Sequence, residues 1–124
     1  MPKPGVTGLR RILNASVYSW QGLRATWQHE AAFRQELLLV AVLTPLAFFE
    51  ATNLSQLLLM LLSLAVVLIA ELLNSAIESV VDRISELPHE LAGRAKDQGS
   101  AAVFIALALV IIVWGAIIAH NHVL

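Results

Sequence analysis

Residues 101–119 contain no charged side chain and almost no polar one. Nineteen such residues in an α-helix rise about 28 Å, close to the roughly 30 Å thickness of a bilayer's hydrocarbon core. Hydrophobic residues make up 58% of the 124-residue chain and charged residues only 14%, too few to cover a soluble domain of this size. The stretch therefore predicts a membrane-spanning helix in an integral membrane protein.

Two further spans are predicted upstream. The second stays apolar from Leu54 to Ala70, and its helical pattern continues beyond that point. The first is weaker: its apolar run, Leu37–Phe49, contains Pro45 and would rise only about 20 Å, so neighbouring residues must join the helix. We predict spanning helices over about residues 31–50, 54–84 and 97–120 of a single membrane domain, residues 1–124.

An amphipathic helix is predicted before the first span, over residues 5–28. Apolar residues, two of them tryptophans, recur there at steps of three and four, while arginine, asparagine and glutamine fall on the other faces. This pattern is typical of a helix that lies in the membrane interface. A surface helix of a soluble domain would show the same pattern, but the spans that follow favour the interfacial location.

The basic residues predict the orientation. All eight lysines and arginines precede the apolar run 37–49 of the first span or lie between the apolar stretches of the second and third spans, 54–70 and 101–119. The positive-inside rule therefore predicts a cytoplasmic N-terminus and a C-terminus outside. The formal net charge is −1 and no basic run is present, so we expect no nucleic-acid partner. There is no cysteine for a disulfide or a thiolate metal site.

Four polar side chains follow one face of the second span: Glu71, Asn74, Glu78 and Asp82. Their spacing of three, four and four residues aligns them in one stripe of a helix. A carboxylate is costly in hydrocarbon unless it faces protein or takes part in chemistry. The stripe predicts a functional site, although it could also join helices or, at Asp82, meet the headgroups.

Two other features have open explanations. Glu30 and Arg34 are four residues apart, in the order that favours an intrahelical ion pair, so Glu30 could be structural or functional. The loop from Pro88 to Asp97 combines glycine, arginine and lysine and could bind an anion. On spacing alone, a positively charged loop that follows the topology rule explains it better.

The four histidines do not resemble a metal site, and we interpret His120 and His122 as interfacial tail residues. Neither a Walker A loop nor the glycine loop of protein kinases is present. Carboxylates with open coordination suit Mg²⁺, which fills its shell with phosphate oxygens and water. A further glutamate could take a proton from an alcohol. This combination would suit phosphate transfer from a water-soluble donor to a lipid alcohol.

Three stretches of the chain resemble the bacterial diacylglycerol kinase family. They are Y-S-W-Q-G-L-R at 18–24 running on to E-A-A-F-R-Q-E at 30–36, E-L-L-N-S-A-I-E at 71–78, and V-D-R at 81–83 with H-E-L-A-G-R-A-K-D at 89–97. The second stretch, followed about eighteen residues later by A-K-D, is highly specific. With the length and the order of spans, the resemblance covers essentially the whole chain.

The resemblance implies a homotrimeric bundle with composite active sites between neighbouring chains. Each site would transfer the γ-phosphate of ATP, with Mg²⁺, to diacylglycerol at the cytoplasmic surface of the bacterial inner membrane, giving phosphatidate. Glu71 resembles the catalytic base, supported by Asn74, and Glu30 and Glu78 resemble the carboxylates that hold the metal.

The resemblance also implies contacts to both substrates, with Asp82 in a supporting role. The nucleotide contacts are Arg11, Tyr18, Glu30, Glu78, His89, Lys96 and Asp97. The lipid contacts are Ser19, Trp20, Arg24, Trp27, Arg34, Gln35, Glu36, Glu71 and Ser100. The chain departs from the family pattern at Asn14, where lysine is common, and at His29, where asparagine is common. It also departs at residues 86–88, E-L-P, which replace a more polar run.

Three other functions remain open at this point. A related scaffold phosphorylates undecaprenol, although the full H-E-L-x-G-R-A-K-D loop favours the diacylglycerol type. An oligomeric proton or cation pathway would require Glu71 and Glu78 to face a continuous polar pore. A structural scaffold would not need Glu30, Glu78, Lys96 and Asp97 to converge.

Overall fold

The computed structural model describes residues 7–124, so Lys3 and the first two residues of the predicted interfacial helix lie outside the described residues. This part of the chain forms four α-helices: α1 (Gly8–His29), α2 (Ala31–Glu50), α3 (Leu54–Ile84) and α4 (Glu90–His122). Three of them, α2, α3 and α4, are long and apolar enough to cross a membrane. The protein is therefore an all-α, multi-pass membrane protein.

The first helix packs against the rest of the chain only loosely. No residue of α1 is buried, and apolar side chains such as Leu9 and Trp20 remain largely exposed. This exposure is expected of an amphipathic helix that rests on lipid. A single residue, Glu30, separates α1 from α2, and its extended backbone (φ −119°, ψ 106°) ends one helix and begins the other.

Helix α2 continues through Pro45 without interruption. Proline removes one backbone donor, and such a loss is tolerated in spanning helices where side chains satisfy neighbouring groups. Thr44, the residue before Pro45, donates its hydroxyl hydrogen to the carbonyl of Val40 at 2.6 Å. The short apolar run of the first span is therefore part of a full-length helix.

The main packing interface joins α3 to α4. Its core consists of apolar side chains from both helices, among them Met60, Leu64, Val67, Ala106 and Val110. Within this core, the indole N–H of Trp114 donates to the Ser63 hydroxyl at 3.2 Å, so a polar contact links the helices in the apolar region.

Helix α4 begins at Glu90, before the predicted start of the third span at about residue 97. The His89 Nδ1 atom accepts a hydrogen bond from the backbone N–H of Leu91 at 3.0 Å and caps the helix. Glu90 in the first turn adds a favourable charge near the helix N-terminus. The prediction followed hydrophobicity, which begins later than the helix.

A distal polar cluster, formed by Glu50, Gln56, Asn121 and His122, joins the ends of the three long helices. Asn121 Nδ2 lies 3.0 Å from the Glu50 carbonyl, 3.2 Å from the Glu50 carboxylate and 3.0 Å from Gln56 Oε1. Gln56 Nε2 donates to Asn121 Oδ1 at 2.9 Å. His122 Nε2 lies 2.8 Å from Glu50 Oε1, so His122 is more than a tail residue.

Candidate functional site: a carboxylate cluster at the α1–α2 junction

The predicted acidic stripe of α3 meets two acids of the α1–α2 junction. We call Glu30, Glu36, Glu71 and Glu78 the carboxylate cluster. Glu71 is 4% exposed on α3, and the carboxyl of Glu36 on α2 lies against it. One oxygen of Glu36 is buried without a hydrogen-bond partner in the described chain. Buried polar atoms normally have partners, so this pair suggests a site for a hydroxyl, a water or a proton.

Glu30 lies at the edge of the same cluster. Partial burial raises the pKa of its carboxyl above the ordinary value, and the nearby Glu78 and Glu71 carboxylates raise it further. Arg34 is not its partner: the guanidinium donates to the carbonyls of Trp27, at 2.7 Å, and Gln28, at 3.4 Å. The intrahelical ion pair left open by the spacing is therefore absent, because Glu30 interrupts the helix and Arg34 caps the end of α1.

Asn74 connects the cluster to α4. Its Nδ2 atom donates a long hydrogen bond, 3.4 Å, to Glu78 Oε1. Its Oδ1 atom is buried without a hydrogen-bond partner among residues 7–124 and lies directly against Gly99 of α4. The amide therefore occupies a fixed position between a carboxylate and a helix backbone.

The two carboxylates assigned to the metal fit Mg²⁺. This ion commonly binds one or two protein carboxylates and completes its octahedral shell with phosphate oxygens and water. Glu30 and Glu78 are close enough to repel each other, and a cation would remove that repulsion. Residues 7–124 contain no group of three His, Cys, Asp or Glu side chains that could enclose a metal. The pair thus suits a metal that arrives with a nucleotide.

Two of the predicted nucleotide contacts, Lys96 and Asp97, are neighbours on α4. Lys96 Nζ lies 2.8 Å from Asp82 Oδ1 on α3, and the Glu78 carboxylate is close enough to attract it further. Asp97, one residue later, lines an adjoining surface cavity, which shares His89 and Gly93 with the cavity that Lys96 lines. One chain therefore brings Lys96, but not Asp97, toward the carboxylate cluster.

The predicted contacts on α1 are exposed. Arg11 and Tyr18 have no side-chain hydrogen bond or ion pair within the described chain. The predicted lipid contacts Ser19, Trp20, Arg24, Trp27, Gln35 and Ser100 are also exposed. They lie on a surface that lipid or a neighbouring molecule could reach, and their roles remain predictions.

A cavity of about 430 Å³ opens between α1 and α3 beside Glu30. Thr26 and His29 line it from α1, and Ser75 and Ser79 line it from α3. The Ser75 hydroxyl is buried without a partner among residues 7–124. Ser75 and Ser79 lie beside the acidic stripe on α3, but the sequence alone indicates no role for them, because only the packing of α1 creates the cavity.

Comparison with known proteins identifies the family of this chain. The family model for prokaryotic diacylglycerol kinase matches residues 17–118. The chain is 53% identical over 112 residues to the diacylglycerol kinase of Haemophilus influenzae, covering 90% of this chain and 95% of the relative. It is 51% identical over 108 residues to that of Escherichia coli K12 (87% and 88% covered). It is 49% identical over 117 residues to that of Pseudomonas aeruginosa (94% and 95% covered). The match spans α2, α3 and most of α1 and α4, and the chain belongs to the prokaryotic diacylglycerol kinase family.

Proposed function

We propose that this protein is a kinase that transfers the γ-phosphate of ATP to the free hydroxyl of diacylglycerol, forming phosphatidate and ADP. The observation that carries the proposal is the carboxylate cluster at the junction of α1, α2 and α3. Membership of the prokaryotic diacylglycerol kinase family supports the reaction and the lipid. A buried acid beside two carboxylates suited to a metal supports phosphoryl transfer to an alcohol.

Each acid of the cluster has a proposed role. Glu71 accepts the proton of the lipid hydroxyl, whose oxygen bonds to the γ-phosphorus as the bond from phosphorus to the β–γ bridging oxygen breaks. Glu30 and Glu78 hold Mg²⁺, which neutralises charge on the phosphates when bound. Asn74 orients Glu78 through its hydrogen bond. Glu36, in contact with Glu71, helps to place the lipid hydroxyl.

Lys96 is proposed to bind the nucleotide phosphates. Its ammonium lies between α3 and α4 at the end of the bundle that carries the cluster, and Asp82 holds it at 2.8 Å. A lysine provides a mobile positive charge for phosphate oxygens. We expect Lys96→Met to raise the KM for MgATP more than the KM for diacylglycerol, as steady-state kinetics in mixed micelles would show. An equal effect on both constants would argue against a nucleotide contact.

We further propose a homotrimer in the bacterial inner membrane, with the N-terminus in the cytoplasm and the C-terminus outside. The end of the bundle with the carboxylate cluster carries Arg24, Arg34, Arg83, Arg94 and Lys96, which supports this orientation by the positive-inside rule. Asp97 faces a different cavity from Lys96, which supports a site completed by a neighbouring chain. Mixing subunits inactivated at Glu71 with subunits inactivated at Asp97 should restore part of the activity if sites are shared.

The deciding experiment is ATP-dependent phosphate transfer by the purified protein in mixed micelles, with dioleoylglycerol and undecaprenol offered in parallel. Wild-type protein should form phosphatidate, and Glu71→Gln should lower kcat by about 10²- to 10⁴-fold, the usual contribution of general base catalysis. Glu50→Gln is the matched control, because it makes the same change in the distal polar cluster and should leave kcat per folded protein unaltered.

Each outcome has a clear meaning. If undecaprenol is the only lipid phosphorylated, the proposed site stands and the proposed lipid substrate is wrong. If Glu71→Gln and Glu50→Gln lower kcat equally, Glu71 is not the catalytic base. An ion pathway is disfavoured because apolar side chains, including Leu64 and Val67, fill the α3–α4 interface beyond Glu71. Transfer to neither lipid by well-folded protein would nevertheless reopen that alternative.

A further inference from the structure

Helices α3 and α4 are in tight contact beside the carboxylate cluster, where Asn74 lies against Gly99. A Cβ atom added to Gly99 would collide with Oδ1 of Asn74 and lie 3.2 Å from its Cγ and 3.7 Å from its Cα. The other two glycines of α4, Gly93 and Gly115, have nothing within 4 Å of an added Cβ. The space for the Asn74 side chain therefore exists because residue 99 has no side chain of its own.

The orientation of the Asn74 amide depends on this space. Its nitrogen must face Glu78, since an amide oxygen there would repel the carboxylate. Its oxygen must then point toward α4, where it lies against Gly99. The hydrogen bond to Glu78 is 3.4 Å long, near the limit for such a bond. A bond of this length restrains the amide weakly, so the backbone of Gly99 fixes its position.

We infer that Gly99 is a positioning residue of the kinase site, which acts by holding Asn74 in the orientation that donates to Glu78. The inference rests on the proposed function, because it assigns Gly99 a part in aligning the metal-binding carboxylate. It requires no direct contact between Gly99 and either substrate.

An alanine at position 99 has two ways to fit, and both disturb the site. The amide of Asn74 can rotate or shift, which breaks a hydrogen bond to Glu78 that is already long. Alternatively α4 can move away from α3, which carries Lys96 with it and stretches its 2.8 Å contact with Asp82. Displacements of about 1 Å in a catalytic arrangement can lower the rate on the order of 100-fold.

The test compares Gly99→Ala with Gly115→Ala, which makes the same change in the same helix where space is open. We expect Gly99→Ala to lower kcat per folded protein by about 10- to 100-fold and to weaken the activation by Mg²⁺. Gly115→Ala should retain the wild-type values. The folded fraction of each protein, from circular dichroism and thermal unfolding in micelles, separates a loss of alignment from a loss of fold.

A double-mutant cycle with Asn74→Ala shows whether the effect passes through Asn74. Removing the amide also removes the atom that alanine at 99 would strike, so adding Gly99→Ala to Asn74→Ala should change kcat and the Mg²⁺ requirement by less than about twofold. If Gly99→Ala lowers kcat by the same factor with and without Asn74→Ala, the two substitutions act independently and the inference is overturned.

Three further outcomes distinguish this inference from the proposed function and from a role in packing. If folded Gly99→Ala transfers phosphate with the kcat and Mg²⁺ dependence of the wild type, the inference is overturned and the proposed function stands. Absence of transfer by the wild-type protein would overturn the proposed function, and the assignment of Gly99 with it. A Gly99→Ala protein that only unfolds at a lower temperature, with unchanged kcat per folded molecule, would make Gly99 a packing residue.

Discussion

Replacing Asn121 by alanine should destabilise the bundle without impairing catalysis. The amide has two hydrogens for three acceptors in Glu50 and Gln56, and its oxygen accepts from Gln56. It therefore forms about three simultaneous hydrogen bonds that join the ends of α2, α3 and α4. Asn121→Ala removes all of them. Nε2 of Gln56, a residue that is 8% exposed, then loses its acceptor, while Oε1 still accepts from Thr52.

The expected loss follows from these contacts. Side-chain hydrogen bonds between membrane helices contribute about 0.6 kcal/mol on average and at most about 1.7 kcal/mol. Three of them, together with the poorly solvated Gln56, correspond to about 2 kcal/mol of unfolding free energy. The effect is modest for each bond because the helices separated within a membrane or micelle also find polar partners.

The assay is reversible unfolding of the protein in mixed micelles by increasing mole fractions of a denaturing detergent, followed by circular dichroism. His120→Ala is the matched control, because this neighbouring side chain is exposed, and such substitutions usually change stability by less than about 0.5 kcal/mol. Phosphate transfer per folded molecule should be unaltered in both variants. If Asn121→Ala destabilises the protein no more than His120→Ala, the distal polar cluster does not stabilise the bundle.

Two further predictions concern stability. Ser63→Ala should lower the unfolding free energy by about 0.6 kcal/mol and at most about 1.7 kcal/mol, because it removes the hydrogen bond from Trp114. Trp114→Phe should then lower the unfolding free energy less in the Ser63→Ala protein than in the wild type. Additive losses in the double mutant would refute the coupling between the two residues. Burial and the nearby carboxylates of Glu78 and Glu71 raise the pKa of the Glu30 carboxyl above its ordinary value. The folded protein therefore binds a proton at Glu30 more tightly than the unfolded chain does. Without Mg²⁺, the free energy of unfolding should fall as the pH rises through the pKa of Glu30 in the folded protein. Glu30→Gln should flatten this decline in unfolding curves measured across pH, and an unchanged pH profile would contradict the assignment.

The membrane architecture was predictable because it depends on hydrophobicity and length. The start of α4 was not, because residues 90–100 are mostly polar and their helix depends on a cap from His89 and on packing against α3. Spacing along a helix correctly aligned Glu71 with Asn74 and Glu78, since all lie on one continuous element.

Contacts between distant parts of the chain could not be predicted from spacing. The hydrogen bonds of Asn121 connect it to residues 65 and 71 positions away, and no local pattern indicates such a pairing. The close approach of Gly99 to Asn74 is hidden for the same reason. The pairing of Arg34 with Glu30 looked plausible only on an uninterrupted helix, and the break at Glu30 sends the guanidinium to the carbonyl of Trp27 instead.

The extended backbone of Glu30 also has a mechanical consequence. Helix α1 is held to the rest of the chain by few contacts, while α2 is fixed within the bundle, so the one non-helical residue between them acts as a joint. Any tilt of α1 that follows a change in the thickness, curvature or composition of the bilayer must be absorbed by the torsion angles at this joint. The carboxylate of Glu30 sits on the joint itself, so a change in the angle between α1 and α2 would move the same residue that lies near Glu78.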